Sequence, residues 1–193
     1  EQPLRTEVLS REEAIHRIRL TPLIQAATRL HRRDVLEGIV FPVGKNYEDA
    51  FTTPEIIEHA TAVACIKEKL YHYRLHPASI MHGKVTLKNL DEIDANYGLL
   101  QCTLRHGKKD AAYLQYALMK RYFRNIKKQL SPELLQDARV KQAETLIVQA
   151  KTEIMQGGAC TLRNVLETAL NSPNVVTHVA GCVPNAAGID RSG

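Results

Sequence analysis

The chain has 193 residues, 44% hydrophobic and 24% charged, with a formal net charge of +5; these values predict a packed core in one domain or a domain with an appended subdomain. An aromatic content of 5% with no Trp argues against a base-stacking nucleic-acid platform, and no apolar run is long enough to span a bilayer. The four cysteines, Cys65, Cys102, Cys160 and Cys182, form no C-x-x-C pair, which suggests neither a zinc site nor a disulfide framework and points to a reducing, cytoplasmic setting.

Ser10 and Glu13 form an S-x-x-E capping box. It predicts a helix that starts near Arg11, runs through Ile18 and stops near Thr21-Pro22. Residues 23–36 read as a second helix, closed by Gly38. Residues 39–42 are a short extended piece. Asn46, three residues before Asp49, reads as an N-cap with an acid in the first turn. Thr53-Pro54-Glu55 reads as a helix restart with Pro at its first position, continuing to about Ala60. The period then changes. Residues 61–66 and 69–75 are short and rich in β-branched and tyrosine residues, which predicts two strands with a break at Lys67-Glu68. Residues 74–81, with Pro77 and Ser79, read as a loop.

The remainder is helical by pattern. Leu90, Ile93, Tyr97, Leu100 and Leu104 alternate spacings of three and four, one apolar stripe that Gly107 stops. Leu114, Leu118, Tyr122 and Ile126 form another, joined by Ala111, Met119 and Phe123. Ser131-Pro132-Glu133 predicts the start of a long helix that uses Leu135, Ala138, Leu146, Ile147, Ala150 and Ile154 and ends at Gly157-Gly158. Leu162, Val165, Leu166 and Ala169 form a short last helix. From Asn171 onward the composition predicts a loosely ordered tail. The fold class is mainly α with a small β element. Residues 1–84 mix helix, loop and strand, residues 85–171 are a helical extension, and residues 172–193 are tail. Two short strands cannot make a stable α/β core alone. Either strands from residues outside this chain complete the first part, or the helices carry the fold.

The charge is uneven. Residues 105–128 hold Arg105, Lys108, Lys109, Lys120, Arg121, Arg124, Lys127 and Lys128 against the single acid Asp110. Such a segment is a solvated helix face or a contact for an anionic surface.

Five short motifs occur in order over about fifty residues: Arg29-Leu30 with Arg32-Arg33, Phe41-Pro42-Val43-Gly44, Glu48-Asp49, Leu70-Tyr71 with Tyr73-Arg74, and Ser79-Ile80-Met81. Over residues 8–85 this order and spacing resembles the second half of a family 2 inverting glycosyltransferase of the GT-A fold. That family often has an aromatic residue just before the first motif, where this chain has Ala27-Thr28. The resemblance implies the C-terminal, acceptor-side part of a GT-A catalytic domain followed by a helical extension. It implies inverting transfer of a sugar from a nucleotide-sugar to a hydroxyl acceptor, a glycan or a lipid-linked species, in cell-surface polysaccharide or glycolipid synthesis. Peripheral contact with the inner membrane face through residues 116–128 fits such an acceptor. The family's nucleotide-binding D-x-D is not found; Asp91 and Asp94 are D-x-x-D on a helix. The divalent cation, manganese or magnesium, is therefore expected in a full-length enzyme and not in this chain, which starts at Glu1 and reads as a piece of something longer.

An inverting transfer needs a base for the acceptor hydroxyl, and a carboxylate within hydrogen-bond reach serves. The resemblance gives that role to Asp49, with Glu48 orienting the acceptor. Helix-start chemistry is the other reading of this acidic pair. Arg74 is a candidate for the diphosphate leaving group, since a guanidinium pairs with phosphate oxygens, with His76 and Ser79 on the same loop; a surface arginine and a turn serine are the alternative. Arg29, Arg32 and Arg33 are either a solvated helix face or an acceptor or phosphate contact. The eight histidines show no H-E-x-x-H spacing, so no metal held by this chain alone is expected. The competing class is a non-catalytic helical binding or regulatory module.

Overall fold

In the computed structural model, residues 5–19, 21–72, 74 and 83–157 are described. The expected helix over 162–169, the expected tail, His76 and Ser79 lie outside them. The chain is mainly helical with one small sheet, and the helices carry the fold. The order is strand β1 (Thr6–Ser10), helices α1 (Arg11–His16), α2 (Thr21–Ile24) and α3 (Glu48–His59), strand β2 (Ala62–Ile66), then helices α4 (Asp91–Arg105), α5 (Lys109–Lys127) and α6 (Ala138–Gln156).

The capping box forms as expected: Ser10 Oγ accepts the Glu13 amide, and the Glu13 carboxylate accepts the Ser10 amide at 2.8 Å. α1 is shorter than predicted, and Ile18 is buried from the turn beyond it. β2 appears where the sequence put a strand. Its partner β1 was not expected. The two run antiparallel from Thr6 opposite Ile66 to Ser10 opposite Ala62. Only Leu9 of β1 is fully buried, so the alternation that reveals a strand is weak there. The described residues of the second predicted strand are not in a strand. Residues 69–72 and 74 are exposed and irregular, the Leu70 amide turns back to the Glu68 carbonyl at 3.0 Å, and among the described residues the sheet has only β1 and β2.

The largest correction falls on residues 23–36. In place of one helix there is α2, a 3₁₀ turn at Ala26–Thr28, an extended stretch, and a second 3₁₀ turn at Arg33–Leu36. A continuous helix would need an apolar stripe to bury. Leu23 is buried, but Leu30, seven residues on, is fully exposed at 102%. Asn46 is not the N-cap of α3. That position belongs to Tyr47, in the left-handed region at φ 62°, with no side-chain cap bond. Pro54 does not restart the helix; it sits inside α3, past the first turn. The Thr53 hydroxyl bonds back to the Asp49 carbonyl at 2.6 Å and Thr52 to that of Glu48 at 3.2 Å, so polar side chains support the backbone just before the missing proline donor.

α4 is the spine. On one side Leu90, Ile93 and Leu100 join Met119, Phe123, Ile126, Val140 and Ile154 in a core with α5 and α6. On the other, Ala95, Leu99 and Cys102 pack with Leu9, Ile15, Ile18, Ala50 and Ile57. Tyr97 and Leu104 are partly buried on the expected stripe, and Gly107 closes the helix at φ 66°. In α5 the buried face is centred on Leu118, Met119, Phe123 and Ile126, while Leu114 and Tyr122 are its flanks. α6 starts at Ala138, later than predicted, because the Asp137 carboxylate caps the Arg139 amide at 2.7 Å; residues 131–137 form a turn and a 3₁₀ segment instead, and Ala138 is exposed.

Candidate functional site

The loop of residues 37–47 delivers the acidic pair to the head of α3. Gly38 and Gly44 turn it with φ near 80°, values that suit glycine. Asp91, in the first turn of α4, anchors its end. One Asp91 oxygen takes the Lys45 ammonium at 2.8 Å, the other the Asn46 amide at 3.2 Å. Arg139 of α6 pairs with both Asp91 and Asp94. Burial alone would raise the Asp91 carboxyl, but the Lys45, Asn46 and Arg139 hydrogen bonds hold it below its ordinary range. The D-x-x-D acids therefore fix the loop that precedes the acidic pair.

Glu48 and Asp49 differ. Glu48 is exposed; Asp49 is half-buried. One Asp49 carboxylate oxygen accepts the Ala26 amide at 3.3 Å and the other the Ala50 amide at 2.7 Å. A carboxylate has about four acceptor sites, so a hydroxyl can still approach. Arg29 lies beside it. Extended backbone at Arg29 turns its guanidinium inward, where Nη1 donates to the Leu23 carbonyl at 2.9 Å and to Thr53 Oγ at 3.0 Å. Nε and Nη2 are shielded from solvent and have no hydrogen-bond acceptor. Burial lowers the Arg29 guanidinium from its ordinary value, against the opposing pull of Asp49.

Arg29 is thus not on a solvated helix face, whereas Arg32 is exposed and pairs with Asp34 at 2.5 Å. Arg74 is exposed, and no hydrogen bond or ion pair joins it to Asp49 or to another described residue. Of the six sequence-selected residues, then, Asp49, Glu48 and Arg29 share one region, Arg74 makes no hydrogen bond or ion pair to it, and His76 and Ser79 lie outside the described residues. Thr53 is the contributor that sequence reasoning missed. Its only signal was its place one turn after Asp49.

The basic stretch distributes as charge and packing dictate. Arg105 pairs with Glu58, Lys108 with Glu12 and Lys127 with Glu144. Lys120, Arg124 and Lys128 point outward around a shallow groove floored by Phe123 and Ile147. No described helix is long and apolar enough to cross a membrane. Cations near an anionic leaflet contribute about 1 kcal/mol each, enough for salt-sensitive attachment. The chain should co-sediment with anionic vesicles at low salt and be released at high salt. Changing Lys120, Arg124, Lys127 and Lys128 to Gln should abolish the binding. A chain that stays in the supernatant at low salt leaves the groove as ordinary solvated surface.

A second constellation was not read from the sequence. Glu58, Cys102 and His106 offer one ligand atom each, all within 4.8 Å of one another. The signal was the spacing Cys102 to His106, four residues apart and so one turn of helix. Among known proteins no family model, no curated protein and no solved structure matches the chain.

Proposed function

We propose that this chain is the acceptor-side part of a family 2 inverting glycosyltransferase of the GT-A fold, with a helical extension over residues 85–171. Asp49 is its base: it takes the proton of an acceptor hydroxyl as that oxygen attacks the anomeric carbon and the nucleoside diphosphate leaves. Glu48 orients the acceptor, and Arg29 places a largely desolvated cation beside Asp49. Arg74 serves the diphosphate from the segment after β2.

What supports this reading is the meeting of Arg29 and Asp49. They belong to two motifs twenty residues apart; the Arg29 charge acts on the Asp49 carboxylate, and Thr53 joins Arg29, at 3.0 Å, to the Asp49 main-chain carbonyl, at 2.6 Å. A carboxylate needed only to start a helix does not require a desolvated guanidinium with unused donors at its side, since leaving buried donors unpaired costs about 1–3 kcal/mol each. The donor nucleotide and its divalent cation belong, on this reading, to a nucleotide-binding half that would pack beside the sheet, where Val8 and Ile66 are exposed.

The protein translated from the complete gene should transfer sugar from one member of a UDP- and GDP-sugar panel, in the presence of manganese, with inversion at the anomeric carbon. In calorimetry with the same panel, the 193-residue chain alone should show no micromolar binding. Micromolar binding by the isolated chain overturns the acceptor-side assignment.

A further inference from the structure

We infer that Glu58, Cys102 and His106 form a binding site for a divalent transition metal of the zinc type, separate from the Asp49 region. Glu58 is in the last turn of α3, Cys102 in the last turn of α4, and His106 caps α4. Glu58 Oε1 lies 3.5 Å from Cys102 Sγ and 3.1 Å from His106 Nε2. Ligand atoms on a tetrahedral zinc, at bond lengths of 2.0–2.3 Å, sit about 3.3–3.7 Å apart. The three atoms therefore need to move by about 1 Å or less.

The donor set selects the metal. A thiolate, an imidazole and a carboxylate together suit zinc and its near neighbours, not magnesium or calcium, which prefer oxygen alone. The surroundings fit as well. His106 Nδ1 faces Glu12 Oε1 at 3.1 Å, and Glu12 is held in turn by Lys108 at 2.7 Å. With a metal on Nε2, the ring's one proton sits on Nδ1 and donates to Glu12, the usual carboxylate–histidine–metal arrangement. The Glu58 carboxylate is oriented by Arg105 at 2.8 Å and His106 at 3.1 Å. Arg105 occupies one side of Oε1 at 2.8 Å, and the carboxylate's other lone pairs remain for the metal.

Cys102 supplies the change that binding makes. Its thiol is fully buried, and burial with the nearby Glu58 charge pushes it up to about 12. Without a metal it is a neutral thiol donating to Glu58. Metal binding forms the sulfur–metal bond and releases the thiol proton to solvent. The Glu58 and His106 side chains are about a quarter exposed, 27% and 24%, which gives the ion a way in. Three protein ligands leave a fourth position for water. The effect is a staple joining α1, α3 and α4.

Cobalt(II) reports on the site, because a thiolate ligand gives an intense near-ultraviolet charge-transfer band. The chelator-treated chain should develop that band with one equivalent of cobalt and lose it when zinc is added. The band should persist when Cys65, Cys160 and Cys182 are all changed to Ser, and vanish with Cys102→Ser. Glu12→Gln should weaken zinc binding about 10–100-fold. No band in the triple variant, or a band that survives Cys102→Ser, overturns the inference and leaves Glu58, Arg105 and His106 as an ion-pair network only. If Cys102→Ser fails to fold, the triple variant alone decides.

Discussion

Replacing Asp49 by Asn should lower sugar transfer by the complete enzyme about 10²–10⁴-fold, the range lost with a positioned general base, while leaving the fold nearly unchanged. Asn keeps an oxygen that can accept the Ala26 or Ala50 amide, now 3.3 and 2.7 Å from the Asp49 carboxylate. It loses the negative charge near the helix start, worth roughly 0.3–1 kcal/mol. Stability and turnover thus part company if Asp49 is the base. Transfer rates and thermal unfolding of the same preparation give both numbers. Near-normal turnover with slightly reduced stability would return Asp49 to helix-start duty and remove the catalytic reading.

The second large effect is on stability. Leu99 and Leu100 are neighbours on α4, both fully buried, yet they face different cores. Leu99→Ala and Leu100→Ala should each cost about 2–5 kcal/mol, as large-to-small changes in packed cores do. Because α4 belongs to both clusters, each variant should lower one common unfolding transition. Circular dichroism and calorimetry should agree on a single midpoint. If Leu99→Ala shifts one transition and Leu100→Ala another, the two parts divided near residue 84 fold independently and α4 is not their shared spine.

How much of this was readable in advance depends on what each segment relies on. α4 was legible almost to the residue, since a long amphipathic stripe ended by glycine leaves few options. α5 was legible with its face slightly rotated. Residues 23–36 were not. Their conformation is set by tertiary hydrogen bonds, Arg29 to Thr53 and the Ala26 amide to Asp49, which involve residues over twenty positions away. β1 was missed because pairing with β2, 56 residues on, makes it a strand, not its own pattern. The same division holds at the site. The acidic pair could be picked out as short motif chemistry. That Arg29 turns inward to it, and that Thr53 bridges the two, required the fold. The Glu58, Cys102 and His106 cluster draws on two helices, and only its Cys102–His106 half left a trace in the sequence.

Pro54 has a mechanical consequence. Having no amide hydrogen, it removes the rung that would tie residue 54 to the carbonyl of Ala50, near the middle of α3. Asp49 stands before that gap and Glu58 after it, about 13 Å apart along the axis at 1.5 Å per residue. The helix still runs unbroken from Glu48 to His59, with the Thr52 and Thr53 hydroxyls bonded back to the Glu48 and Asp49 carbonyls beside the missing rung. The alignment of Asp49 is left to its local braces, Ala26 and the loop pinned by Asp91.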